Sequence, residues 1–441
     1  MIEAVIERCA GIDVGKKFIA VCVMTGPANG EARSEVRLFG TTVAQLEQAR
    51  TWMLAEGCTH AIMESTGSYW KPVFNILEGH LKVALANPQE VKARKGHKTD
   101  LKDAWWLAHL LRHAMVTPSF IPPRWQRNLR DMTRRRRKLI QTAAAEKNRV
   151  GKVLEDANVK LGSVLSDVFG VSGQLMLEAL LKGQGDAAEI ARMAKAGAKK
   201  KIPEIIAALE QHQMSEHHRR MIRFSLEHMR FLEEQLTELD KLIGEHIEKS
   251  GYQLQWDLLR TLPAVRENAA AVLAEMGPDP SQFASEKKLG SWSGLCPGNN
   301  RSAGRSKSSH INPGNRWLRA ALAESAWGIS RMKQGHLRDK FWRIASKGDP
   351  KRQRPIAVVA IAHDLLTLAY FVLQRGTPYE ETRGKAMSEE QKQRLIRHHI
   401  RRLGKLGIPV RVTPAPDNRP ACRPKSPKTP KSPKTMKPAT S

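Results

Sequence analysis

The chain has 441 residues, 41% of them apolar, enough for two or three hydrophobic cores and too many for disorder throughout. Its 73 Lys and Arg stand against 44 Asp and Glu, a formal charge of +29, so a polyanionic partner is the first expectation. The Pro/Lys-rich stretch 414–441 contributes only +6, which makes the body of the chain basic as well. Five scattered cysteines, Cys9, Cys22, Cys58, Cys296 and Cys422, never form a C-x-x-C pair; they argue against a disulfide framework or structural zinc and fit a reducing cytoplasm. No apolar signal core opens the sequence, and the most apolar run, 356–373, is broken by His363 and Asp364 and reads as a buried helix.

Taken in chain order, C-A-G-I-D-V-G and F-I-A-V-C-V-M have strand composition and flank a Gly-Lys-Lys turn, with a third strand expected over 34–39. An amphipathic helix over 43–56, a strand over 60–64, a helix over 70–77 and a strand over 82–86 follow, then helices on both sides of K-A-R-K-G-H-K. A strand meander followed by alternating strands and helices is the order of a ribonuclease-H-like α/β domain, here 1–123. Beyond Pro122-Pro123 a basic helical spacer is expected over 124–255. It opens with eleven basic residues and two acids between 124 and 152, and its second long helix, 216–249, carries Ile222, Leu226, Met229, Leu236, Leu239, Ile243 and Ile247 at coiled-coil spacing. That spacing fits an intramolecular hairpin and a dimerisation arm alike. A mainly α domain is expected over 256–380, and 381–441 reads as a basic helix over 388–403 followed by a Lys/Pro tail that cannot form a core.

Four acids stand out in this basic chain: Asp13 in G-I-D-V-G-K, Glu64 in I-M-E-S-T-G-S-Y-W, and Asp100 with Asp103 in K-T-D-L-K-D-A. Two-metal phosphodiester chemistry needs carboxylates converging from separate elements, and hard oxygen ligands suit Mg²⁺ or Mn²⁺. Asp13 falls within the first strand and Glu64 at the carboxyl end of a strand able to lie beside it, where open α/β sheets form their sites. Asp100 and Asp103, three apart after Thr99 as a helix cap, project from one helix face. Each acid alone fits a structural role, as a strand acid or a solvated helix start; together they occupy the elements a metal site of this fold requires.

The ordered motifs G-I-D-V-G-K, M-E-S-T-G-S-Y-W, L-A-N-P-Q-E-V-K and K-T-D-L-K-D-A-W-W-L-A-H-L-L-R, then P-P with L-R-x-x-x-R-x-R-x-L, resemble the DEDD transposases of the insertion-sequence one-hundred-and-ten family, relatives of the Piv DNA invertase. The resemblance spans 9–155 and resumes over 256–380. It implies a RuvC-like domain whose quartet, Asp13, Glu64, Asp100 and Asp103, binds Mg²⁺, a helical coiled-coil spacer, and a C-terminal transposase domain with a nucleophilic serine. It further implies site-specific recombination of donor and target DNA, guided by a noncoding bridge RNA, in a homo-oligomer (dimer or tetramer) whose subunits share composite sites. By the motif G-L-C-P-G-N-N-R-S-A-G-R-S-K-S-S-H-I-N-P-G-N-R-W-L-R the family serine falls on Ser302, although Ala303 separates it from Gly304, leaving Ser306, Ser308 and Ser309 as rivals. The helix-hairpin-helix-like turn has L-P-A-V where the family carries glycines.

A serine among Arg301, Arg305 and Lys307 suits nucleophilic attack, since guanidinium groups stabilise charge on the attacked phosphate; a passive phosphate-binding loop has the same composition. Arg134, Arg135, Arg136, Arg137 and Lys138 read as a helix face tracking a nucleic-acid backbone. Trp70 is expected to pack on the sheet, and the histidines show no ligand spacing. The expected function is a metal-dependent DNA recombinase with a serine nucleophile. The alternatives are a junction-resolving nuclease acting with metal and water, and a non-enzymatic nucleic-acid-binding protein.

Overall fold

The computed structural model describes residues 5–65, 67–87, 91, 100–297, 300–302, 305–308, 310–311, 313–381, 396–397, 400 and 403–404, with 100, 300–302 and 305–308 described by backbone alone. Thr99, Ser309, the segment around K-A-R-K-G-H-K, most of 388–403 and the Lys/Pro tail lie outside the described residues. Strands β1 (Arg8–Val14), β2 (Phe18–Thr25) and β3 (Arg33–Gly40) form an antiparallel meander, turned between β1 and β2 by the Gly15 N–H donating to the Phe18 carbonyl. On the other side of β1, β4 (His60–Glu64) and β5 (Lys82–Ala86) continue the sheet in parallel, in the order β3-β2-β1-β4-β5. This is the ribonuclease-H-like arrangement expected for the N-terminal domain. The central strands are nearly continuous apolar runs because both their faces are covered. Edge strand β3 instead carries Arg33, Glu35 and Arg37 at every second position, and charge there discourages edge pairing.

Helices α1 (Val43–Ala55) and α2 (Trp70–Leu77) bury Leu46, Trp52, Val73 and Phe74 on the face carrying Ala10, Ile12, Val14 and Met63. Trp70 packs against this core, its ring edge-on to Phe74 at 5.8 Å. Helix α3 (Asp100–Arg112) covers the opposite face with Ala104, Leu107 and Ala108. Its last residue, Arg112, is 2% exposed and donates to four carbonyls, those of Ile6, Glu7, Gly26 and Pro27, which locks the helix end to the sheet margin.

Helix α4 (Arg124–Asp156) leaves this domain and returns as α9 (Glu216–Lys249). Between them α5 (Leu161–Val164), α6 (Val171–Lys182), α7 (Ala187–Arg192) and α8 (Ile202–Leu209) close the tip over a core running from Val150 to Ile222. Helices α4 and α9 pack against each other within the chain, so the hairpin is present. The seam is not purely apolar: Glu146 is buried in it and bonded to His228 at 2.9 Å. Burial pushes the Glu146 carboxyl up, but hydrogen bonds from His228 and Ser225 more than offset this and hold it below its usual range.

The C-terminal body comprises α10 (Gln253–Arg260), α11 (Ala269–Met276), α12 (Glu286–Ser293), the two-stranded hairpin β6 (Asn300–Ser302) and β7 (Arg305–Ser308), α13 (Arg316–Ser330), α14 (His336–Ala345) and α15 (Pro350–Arg375). Its core also takes in Leu129 of α4 and Ile243 and Ile247 of α9, so the roots of the hairpin belong to it. Helix α15 is long and apolar enough to cross a membrane, yet Ala357, Ile361, Leu365 and Ala369 are fully buried at the centre of this core.

Candidate active site

The parallel register of β1 and β4 pairs Cys9 with His60 and Ile12 with Met63, so one further step brings Asp13 level with Glu64 at the carboxyl ends of both strands. Ile12 and Met63 face the α1/α2 core while Ile62 meets Leu107 of α3, so alternation turns Asp13 and Glu64 to the α3 side. Both acids are half-buried. Helix α3 runs antiparallel to β1: Arg112 bonds Ile6 and Glu7, and Cys9 Sγ meets the Ala108 carbonyl at 3.6 Å. One step on, a Cβ at Gly11 would lie 2.2 Å from the Ala104 carbonyl oxygen. One helical turn rises about 5.4 Å and two strand residues about 6.6 Å, so the same stepping sets the first turn of α3 over Asp13. That turn holds Asp100 and the half-buried Asp103. Four acids from three elements thus share one end of the sheet. Among the described residues no three His, Cys, Asp or Glu side chains stand close enough to hold a metal, and Asp100 is described by backbone alone. The oxygen-only donor set suits a hard divalent cation.

Gly11, two residues before Asp13, is what allows this approach. Arg112 ends the motif K-T-D-L-K-D-A-W-W-L-A-H-L-L-R, but nothing in the sequence reveals the four carbonyls it binds.

The candidate serine lies on a different core. The Gly/Ser-rich stretch forms the β6–β7 hairpin, whose ladder pairs Ser302 with Arg305 and Arg301 with Ser306, with an irregularity between Asn300 and Arg301. Its root is a Pro297–Ile311 bridge and a contact so close that a Cβ on Gly314 would fall 2.3 Å from the Gly294 nitrogen. Next to it the Asn315 side-chain oxygen accepts from the Trp317 and Leu318 N–H groups and caps α13. Its amide donates to Glu275 at 2.8 Å. The G-N-R motif is therefore a close approach followed by a cap. At the L-P-A-V turn Ala264 adopts φ 56°, a left-handed conformation that favours glycine.

Glu275, 1% exposed, joins the body to α4: Arg134 donates to both carboxylate oxygens, at 2.7 and 2.9 Å, and Arg130 pairs with it at 3.4 Å. Gln126 and Arg130 also satisfy the Ala274 and Glu275 carbonyls at the end of α11. An acid inside the apolar run A-A-A-V-L-A-E-M was the available sign of this role. Much of the basic run is thus engaged within the chain: Arg134 by Glu275, Arg136 by Asp240 at 2.5 Å and Arg137 by Glu324 at 3.3 Å. Arg135 and Lys138 are exposed. Trp317 lies among Arg316 at 5.0 Å, Arg134 at 5.4 Å and Lys138 at 5.9 Å from its ring centre.

A family model described as Transposase, of the DEDD type, matches residues 10–159, and one described as Transposase IS116/IS110/IS902 family matches residues 257–342. The Pilin gene-inverting protein of Moraxella lacunata is 25% identical over 384 residues, covering 84% of this chain and 97% of its own length. Its counterpart in Moraxella bovis is 25% identical over 331 residues, covering 73% and 82%. The structure of Thermus thermophilus RuvC aligns at 14% identity with a TM-score of 0.21, over 25% of this chain and 99% of its own; the strand order, not this score, carries the fold assignment.

Proposed function

The chain belongs to the IS110 family of transposases and is a DNA recombinase, and we propose that it exchanges DNA strands through Ser302, with a divalent cation at its acidic quartet and a noncoding bridge RNA selecting donor and target. The observation that carries the reading is the register that sets Asp13 level with Glu64 beneath the first turn of α3. Asp13, Glu64, Asp100 and Asp103 would hold Mg²⁺ or Mn²⁺, which when bound supplies Lewis-acid polarisation of the scissile phosphate. Ser302 Oγ attacks phosphorus and forms a phosphoserine ester while the bond to the DNA 3′ oxygen breaks. The serine gives up its proton and the departing 3′ oxygen takes one up. The ester count is unchanged, and a 3′-hydroxyl from the other DNA later reverses the step. Arg301, Arg305 and Lys307, on the same hairpin, would bind the phosphate under attack. The formal charge of +29 suits simultaneous engagement of two DNAs and an RNA.

Purified protein, Mg²⁺, the RNA transcribed beside the gene and both DNAs form the test. Wild type should give an RNA-dependent covalent protein–DNA adduct and recombinant product. Ser302→Ala should lose both and Asp13→Ala should lose product, each still binding DNA. Full recombination by Ser302→Ala would remove the serine from the mechanism. Metal-dependent cleavage without an adduct would make the chain a resolving nuclease.

A further inference from the structure

Between α4 and the C-terminal helices lies a cavity of about 360 Å³, inside the ~300–1,000 Å³ range of small-ligand pockets. Its walls include the indoles of Trp256 and Trp317, with the Arg260 guanidinium 4.9 Å over the Trp256 ring. The Trp256 indole N–H is buried and has no acceptor among the described residues. Arg266, also on the wall and exposed, has no ion pair among the described residues, unlike Arg134, Arg136 and Arg137. Four carboxylates share the lining with the guanidiniums. A wall of both signs does not suit a bare phosphate; it suits a nucleobase, whose edge carries donors and acceptors together and whose faces stack on indole.

A second concavity, lined by Trp292, Gly314, Asn315 and Arg316, shares Arg134 and Trp317 with the first, so the two meet at Trp317 beside the root of the Ser302 hairpin. We propose that this cavity holds one unstacked nucleotide of a strand passing the hairpin, its base against Trp256 and Trp317 and its phosphate at Arg266. The inference rests on the nucleic-acid substrate assigned above and adds a site for a single base. A base inside a duplex cannot enter such a cavity, so the ligand is a nucleotide of a single-stranded or flipped-out segment.

The test uses full-length protein with short single-stranded DNA and RNA oligonucleotides, each carrying one photoreactive thiopyrimidine, and maps the crosslinked peptides. Crosslinks should fall on the peptides containing Trp256 or Trp317, and the arm that gives them, deoxy or ribo, names the strand. Trp317→Ala should weaken single-strand affinity by about tenfold, the loss of one stacked base, while duplex affinity is unchanged. Crosslinks confined to other elements, or a folded Trp317→Ala binding as wild type does, would overturn the proposal. Should Trp317→Ala not fold, Arg266→Glu at an exposed position decides: weakened binding with a shallower salt dependence supports the site, and unchanged binding refutes it. Binding is read without strand chemistry, so a protein that recombines but crosslinks elsewhere refutes the pocket alone. One that crosslinks here but forms no serine adduct refutes the serine mechanism alone.

Discussion

A single missing methyl group governs the acidic site. At Gly11 an added Cβ would meet helix backbone, Ala104 O at 2.2 Å and Ala108 N at 2.3 Å, and backbone cannot rotate away as a side chain can. Gly11→Ala should therefore push α3 off the sheet, cost about 1–3 kcal/mol, and carry Asp100 and Asp103 away from Asp13. Gly151, inside α4, has nothing within 4 Å of the position an added methyl would take, so Gly151→Ala should instead stabilise by about 0.5–1 kcal/mol. Thermal melts of the two variants should move in opposite directions, and a neutral Gly11→Ala would mean that α3 is not seated as described. Ala264 is the reverse case: at φ 56° it sits where glycine is at ease, and Ala264→Gly should raise the melting temperature, by the equivalent of about 0.5 kcal/mol. The thiols show the same close packing. Burial pushes Cys9 up to about 11 and Cys22 and Cys58 up to about 12, which leaves all three protonated and poorly nucleophilic near neutrality.

At the scale of elements, the N-terminal sheet was legible because β1, β2, β4 and β5 are short apolar runs bounded by Gly or polar turns, and the expected strands at 60–64 and 82–86 coincide with β4 and β5. The region between the long helices was not legible: α5 to α8 are short, and their apolar residues close a local core only when Val150 and Ile222 are brought together from the two helices of the hairpin. Partnerships across the chain were equally hidden. Arg127, in the first turn of α4, donates to both carboxylate oxygens of Glu78 after α2, at 3.1 and 2.8 Å, and its guanidinium lies 4.9 Å over Phe74. The hydrogen bond from Arg127 holds the Glu78 carboxyl below its ordinary 4.5. Because the folded value is the lower one, this clamp contributes fully above the ordinary value and is lost as pH falls through the depressed one. Hydrogen-exchange protection in residues 124–128, taken relative to the intrinsic rate at each pH, should fall on acidification below that range, and Arg127→Ala should lower it at neutral pH and remove the dependence. An unaltered pH profile in Arg127→Ala would show that Glu78 does not hold the two domains together.

The whole molecule separates its charge into a part that builds the fold and a part left for partners. From sequence, R-R-R-R-K was one continuous basic face; folded, Arg134, Arg136 and Arg137 are held by Glu275, Asp240 and Glu324, more than a hundred residues away along the chain. Sequence spacing could not reveal this, since the acids lie on α9, α11 and α13, and only the packing of those helices on α4 selects which arginines are engaged. Exposed charge, in contrast, costs no stability to remove and is free to displace counterions from nucleic acid. Two double variants separate the roles. Arg135→Ala with Lys138→Ala should leave the melting temperature unchanged and lower the salt slope of nucleic-acid binding by about one per lost phosphate contact. Arg134→Ala with Arg130→Ala strands the buried Glu275 carboxylate, so it should destabilise by roughly 3–5 kcal/mol. It should also loosen the Asn315 cap at the foot of the Ser302 hairpin, because the same carboxylate holds that side chain. Strand exchange should then fall further than DNA affinity does. Equal losses in stability from both double variants would mean that the run is one undivided surface and that Glu275 is not its internal partner.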